Sequence, residues 1–285
     1  MRFLVFSSLV VTSALSGCNL YYESQAEDMV QRQMDAMVFV EGGEFMMGNP
    51  GGWDGSRDSW PPHKVILDDF YIQKYEVTQG DFELFMAVTG HEPSDTRYEQ
   101  MRDETPKRFS DGLPAIASWR DAKAFCQWLK QETEVKTSLP TEAQWEFAAR
   151  SRGKLTKYAT LEGQAIPNKT MAPGPDLFER DGHPFEGMLP LKPGTFPPNA
   201  IGLYDMSGNV SEWVNDKYLK DYYERSPTKN PRGPDEGQKD IFDGELYRVV
   251  RGGNFHDFEG NTTVSRQKGS ETLAAETRGF RCAMN

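Results

Sequence analysis

The sequence predicts a loop-rich α+β fold, and three observations carry that expectation. Glycine (26 residues) and proline (18) are abundant, and aromatic side chains make up 12% of the chain. Mean hydropathy is low, at −0.67. Helical periodicity appears clearly in only three short segments, and extended runs are brief and scattered. A regular helical bundle would show long periodic segments with few breakers. At 285 residues the chain suits one large domain or two small ones and can bury a sizeable core. No internal repeat is visible, and no obvious linker interrupts residues 38–285.

In chain order, the first segment is MRFLVFSSLVVTSALSGC. One arginine precedes an apolar run too short to span a bilayer comfortably, the pattern of a secretory signal. Its ending, Leu15-Ser16-Gly17-Cys18, resembles the lipobox of bacterial lipoproteins, in which the cysteine is lipidated and becomes the new N-terminus. The expectation is a signal peptide over residues 1–17 and a lipid anchor on Cys18. A tether, in part helical, is expected over 18–37, with Met29, Met34 and Met37 spaced loosely like a helix face; a partner-binding helix is the alternative. An ordinary signal peptide with a chance cysteine is the alternative. Asn19 follows the anchor; by similarity to sorting rules that read this position, the lack of Asp favours the periplasmic side of the outer membrane, with the inner membrane as the other placement.

The domain proper is expected over 38–285. Strand candidates are VFVEGGEFMMG (38–48), KVILDDFYI (64–72) and LYRVVRG (246–252). Thr78 with Asp81 opens a helix through Phe82, Phe85 and Met86, and Gly90 is placed to stop it. Ser118 with Asp121 opens a second, whose Ala122, Phe125, Cys126 and Leu129 recur at i, i+3, i+4 and i+7. Thr141 with Gln144 opens a third, with Trp145, Ala148 and Ala149 on one face. Residues 151–200 show neither period and read as long ordered loops, which a staple such as a metal ion could hold. Met46, Met47, Trp119, Trp128, Trp145 and Trp213 are expected in the core.

Lys and Arg number 32 against 43 Asp and Glu, for a net charge of −11. With no basic stripe to neutralise phosphates, nucleic-acid binding is disfavoured. An acidic surface is compatible with divalent cations. No Gly-rich phosphate loop, nucleophile elbow or HExxH motif occurs. Export would leave Cys126 and Cys282 as an even pair in an oxidising compartment, either a disulfide or two buried thiols. A bridge closing so long a loop is worth about 4–5 kcal/mol in the chain-entropy account.

Seven segments in order then resemble one family: FVEGGEFMMG (39–48), PPHKVILDDFYIQKYEVTQGDF (61–82), LPAIASWRDAKAFCQWL (113–129), LPTEAQWEFAARS (139–151), GLYDMSGNVSEWVND (202–216), RVVRGGNF (248–255) and RGFRCAMN (278–285). They are similar to the formylglycine-generating enzyme/sulfatase-modifying factor family, over roughly residues 38–285. The resemblance implies a variant C-type-lectin-like fold, bound calcium, and a disulfide between the cysteines at positions 126 and 282. His63, in PPHKV, matches a family position ahead of a strand and reads as a structural hydrogen-bonding residue.

Calcium takes six to eight hard oxygen donors. In SGNVSEW, Asn209 and Glu212 are such donors close in sequence, and by similarity Ser207, Gly208 and Val210 supply carbonyls. A hydrogen-bonded turn held by Trp213 is the alternative. Asn168 and Asp181 are candidates for a weaker second calcium site. In formylglycine-generating enzymes two cysteines after the Gly-Gly hold copper and engage the substrate thiol. Here RGGNFHDFEGNTT puts Asp257 and Thr262 at those positions, and Asn254 where the family has serine. Neither Asp nor Thr forms a mixed disulfide or favours Cu(I), so no copper and no cysteine-to-formylglycine conversion are expected. Asn254, His256, Asp257 and Glu259 form an alternative candidate site, read mainly as a solvated loop because His63, His91 and His183 are scattered.

The expected function is therefore a membrane-anchored accessory or binding module with an unidentified envelope protein partner, as in family members that serve motility or secretion machinery. The alternative is a metal-dependent oxidase or protein-modifying enzyme with changed chemistry. Direct glycan binding rests on the lectin-like fold alone.

Overall fold

The computed structural model describes residues 17–53, 57–166, 169–171, 189–256 and 260–285, with side chains from residue 22 and without that of Arg57. Three helices begin where capping chemistry places them. In α2 (Gln79–Thr89) the Thr78 hydroxyl accepts the Asp81 N–H, and Gly90 closes the helix at φ 68° with its N–H donating to the Met86 carbonyl. Helices α4 (Trp119–Thr133) and α5 (Glu142–Ala149) open with reciprocal boxes, Ser118 with Asp121 and Thr141 with Gln144. Each box satisfies amide donors that a helix start leaves orphaned. Two further helices, α1 (Gly17–Asp35) and α3 (Tyr98–Glu104), complete the described set.

Each of the two N-terminal strand candidates divides in two: β1 (Met37–Val40) and β2 (Gly43–Met47), then β3 (His63–Leu67) and β4 (Phe70–Gln73). The break lies where these two segments meet. A Cβ on Gly42 would sit 2.3 Å from the Leu67 carbonyl oxygen, and the Gly42 N–H donates to Asp69 Oδ1 at 2.8 Å. The halves then enter different sheets. β1 pairs with β4, and β5 (Thr137–Ser138) and β10 (Ala283–Met284) complete the order β1-β4-β10-β5, while β2 and β3 form a ribbon. The third sheet has the order β8-β7-β6-β9, from β6 (Ser211–Lys217), β7 (Tyr247–Arg251), β8 (Arg266–Ser270) and β9 (Arg278–Phe280). β6 and β9 run parallel; the other ladders are antiparallel.

The expected core holds with one correction. Trp119, Trp128, Trp145, Trp213 and Met47 are buried, but Met46 is 51% exposed. Alternation along β2 turns neighbouring side chains to opposite faces, so the Met46-Met47 pair cannot both face inward. Two indoles lace α4 to the third sheet: Trp119 Nε1 donates to the Val214 carbonyl and Trp213 Nε1 to the Ala117 carbonyl. Cys126 on α4 and Cys282 are joined by a disulfide with Cα atoms 5.7 Å apart, which ties the helix to the C-terminal strand.

The segment 18–37, expected as a tether, is instead the docked helix α1. Its Ala26, Met29, Val30 and Met34 are buried in the same apolar cluster as Phe82, Phe85, Phe125 and Leu129. Packed structure begins at Ala26, ahead of the expected boundary at residue 38. Of the signal peptide expected over residues 1–17, residues 1–16 lie outside the described ones. Among the described residues no helix is long and apolar enough to cross a membrane.

Candidate functional site

Two loops meet at the end of the third sheet. The first, Asp205 to Glu212, turns through three left-handed residues: Asp205 (φ 59°), Gly208 (φ 101°) and Asn209 (φ 58°). The second is the Gly252-Gly253 bend after β7. Gly208 N–H donates to the Gly252 carbonyl at 2.9 Å, and Phe255 N–H to the Asn209 carbonyl at 2.8 Å. Asn261 is wedged between them: a Cβ on Gly208 would lie 2.8 Å from its Nδ2, and one on Gly253 2.1 Å from its Oδ1. Two separated sequence motifs thus form one structural unit.

The first loop brings buried Glu76 and Glu212 together with half-buried Asp205. Glu76, between β4 and α2, accepts from Asn209 Nδ2 (2.6 Å) and from the Val210 N–H (3.2 Å). Burial, reinforced by the charges of Asp205 and Glu212, holds the Glu76 carboxyl well above the usual carboxylate range. Asp205 accepts from the Gly194 N–H at 2.6 Å, and burial pushes its pKa up to about 6. Glu212 is paired with Arg281: Arg281 Nη2 lies 2.6 Å from Oε1 and Nε 2.7 Å from Oε2, which also accepts from Trp145 Nε1.

These contacts bear on the expected calcium ligands. Asn209 uses its side chain within the protein, with Oδ1 accepting the Leu191 N–H and Nδ2 donating to Glu76 and the Leu191 carbonyl. Both Glu212 oxygens are occupied, and the Ser207 hydroxyl accepts the Ala159 N–H. Among the described residues no three His, Cys, Asp or Glu side chains form a ready-made ligand set. In charge, however, the site suits a divalent cation: among the described residues neither Glu76 nor Asp205 has an ion pair like that of Glu212 with Arg281. An ion here would draw on Asp205 and on carbonyls of Ser207, Gly208 and Val210. Asp205 and Glu76 escaped the sequence reading, although both stand inside the quoted motifs GLYDMSGN and QKYEVTQ. Asn168 and Asp181 lie outside the described residues.

The second loop is anchored by its arginine. Arg251, 1% exposed, reaches Glu142 Oε1 (3.1 Å), Glu146 Oε2 (2.6 Å) and the Thr263 carbonyl (2.7 Å). Arg150 joins at Glu146 Oε1 and Arg266 at Glu142 Oε1, making a buried ion network beneath the loop. His63 packs its ring edge-on against Tyr223 at 4.6 Å and sets Nδ1 3.3 Å from the Pro61 carbonyl.

Asn254 is buried, donating to Ser211 Oγ at 3.2 Å and accepting the His256 N–H at 2.9 Å. His256 is exposed, and desolvation against its neighbours lowers its pKa, opposed by the charge of Glu276. Thr262 is fully buried. Asn254 and His256 therefore face different surroundings and do not converge as a pair of ligands; Asp257 and Glu259 lie outside the described residues.

Comparison with known proteins places this geometry. The sulfatase-modifying factor enzyme 1-like domain matches residues 22–285. The serine/threonine-protein kinase pkn1 of Chlamydia pneumoniae is 32% identical over 93% of this chain, yet the chain spans only 40% of that relative's length. The formylglycine-generating enzyme of Streptomyces coelicolor is 29% identical, covering 88% of this chain and 90% of the relative. The mouse protein named inactive C-alpha-formylglycine-generating enzyme 2 is 30% identical, covering 88% and 86%. Among solved structures, PvdO from Pseudomonas aeruginosa superposes with a TM-score of 0.66 at 25% identity, covering 87% of this chain and 94% of that one. With that likeness the variant C-type-lectin-like architecture expected from the motifs is present. The chain belongs to the sulfatase-modifying factor enzyme 1-like family.

Proposed function

We propose that this chain is a lipid-anchored, periplasm-facing accessory module that binds a protein of the cell envelope and does not convert cysteine to formylglycine. One observation supports the reading: Thr262, which with Asp257 takes by resemblance the positions of the family's catalytic cysteines, is fully buried. A buried hydroxyl neither exchanges with a substrate thiol nor holds Cu(I). The mouse relative whose name marks it inactive supports a non-catalytic use of this domain. Loops on a rigid scaffold are suited to recognition, and here they are braced from below by the Arg251 network. Calcium acts structurally, holding the Asp205–Glu212 loop through Asp205 and its carbonyls. Anchoring rests on the Leu15-Ser16-Gly17-Cys18 sequence.

The test is site-specific photo-cross-linking in cells from position 256, on the exposed side of the second loop. A single reproducible envelope protein, lost when the cross-linker is moved to exposed Glu132 on α4, is the expected result. Absence of a specific partner, together with aldehyde formation on a cysteine peptide supplied with copper and oxygen, would overturn the reading.

A further inference from the structure

The sequence predicts a tether between lipid and domain; the packing of α1 makes it a different device. Gly17–Asp35 is one uninterrupted 19-residue helix. Ala26, Met29, Val30 and Met34, at 8%, 0%, 2% and 2% exposure, form a stripe at i, i+3, i+4 and i+8 that sinks into the core beside α2 and α4. Its polar flank is held as well. Gln33 donates to Asp81 Oδ2 at 2.8 Å and accepts from Gln73 Nε2 at 2.5 Å, and Arg32 pairs with Asp81 at 3.1 Å. At the C-terminal end the Ala36 N–H donates to the Arg32 carbonyl, and the Lys74 N–H donates to the Ala36 carbonyl at 2.8 Å. The next residue, Met37, already pairs with Gln73 in β1.

From Cys18 to Ala26, the first residue of the buried stripe, the chain continues the same helix. At the helical rise this stretch is about 12 Å long. A flexible linker of this length would let the domain tumble; a helix clamped on three sides would not. The exposed side of this stretch and the next turn carries Glu27 and Asp28, which anionic headgroups repel, so the helix stands off the surface rather than lying in it.

We infer that α1 is a rigid mount, fixing the height and orientation of the domain above the bilayer that holds the Cys18 lipid; this rests on the lipoprotein reading above. The recognition loops are then presented at a constant distance from the membrane.

The full-length lipoprotein, extracted from membranes and reconstituted in phosphatidylethanolamine/phosphatidylglycerol vesicles, provides the test. A donor dye on Asp103→Cys reads energy transfer to headgroup acceptors; the bridged Cys126 and Cys282 do not react with the dye. A narrow distance distribution is expected, broadening at least twofold when eight Gly/Ser residues are inserted between Tyr22 and Glu23, with the melting temperature unchanged. A wild-type distribution as broad as that of the insertion variant overturns the mount. Mass analysis of the N-terminal peptide separates the two readings. Lipid on Cys18 with a broad distribution defeats the mount alone, whereas an unlipidated Cys18 defeats the anchoring reading and the mount with it.

Discussion

Two charge clusters meet at Trp145, whose Nε1 donates to Glu212 and whose ring lies 5.3 Å from the Arg251 guanidinium, and they are built on opposite terms. In the first, Glu142 and Glu146 face Arg150, Arg251 and Arg266. Burial alone would raise Glu142, but Arg266 and Arg251 outweigh it and hold its pKa below the usual value. In the other cluster Arg281 is committed to Glu212, and burial pushes Glu76 and Asp205 upward, more than the charge of Arg281 offsets; among the described residues neither acid forms an ion pair. Burying charge is tolerable when each charge has a partner and costly when it does not. In the first cluster Glu142 and Glu146 are each paired with guanidinium groups within 3.1 Å. The second is short of positive charge, which a divalent ion would supply.

Breaking the paired cluster should have the largest effect. Glu142→Gln removes a charge that faces Arg251 and Arg266 and also accepts from Tyr223 Oη. A loss of about 3–5 kcal/mol is expected in denaturant unfolding, and calcium should not restore it. The opposite sign is expected at Asp205. Asp205→Asn removes an uncompensated carboxylate and should stabilise the metal-free protein at neutral pH by about 1–3 kcal/mol, while abolishing any calcium-induced rise in melting temperature. Equal calcium responses in the variant and the wild type would end the proposed role of this acid.

pH sharpens the same contrast. Asp205 titrates near 3.8 when unfolded and at about 6 in the fold, which therefore prefers its protonated form. Its contribution is intact below the lower value and is lost as pH rises through the upper one. Asp216, raised to about 8 by burial and by Glu142, extends the decline to higher pH. Melting curves of the chelated protein should show both phases, and millimolar calcium should flatten only the first. The smallest effect is expected on the loop surface: His256→Ala, at an exposed position, should change unfolding free energy by less than about 0.5 kcal/mol. A larger loss would mean that the loop is packed by more than Asn254.

The helix starts were legible because a cap is a local bargain: Thr78, Ser118 and Thr141 each bond an amide three residues away. The splitting of the two N-terminal strand runs was not, since it depends on Gly42 meeting Leu67 and Asp69 from a separate segment. The candidate site divides in the same way. That Asp257 and Thr262, and not cysteines, follow the Gly-Gly can be read in one dimension, as can the SGNVSEW loop. That Asn209 is consumed by Glu76, 133 residues away, and that Asp205 is the freer acid, cannot.

Sequence by itself thus determined the family, the cysteine pairing that the family implies and the cap positions, because each is written in residue identity at short range or in motif order. Tertiary structure alone decided that the expected tether is a docked helix and that one acidic cluster is neutralised while its neighbour is not. Burial and charge balance are sums over groups distant along the chain, and only folding brings those groups together.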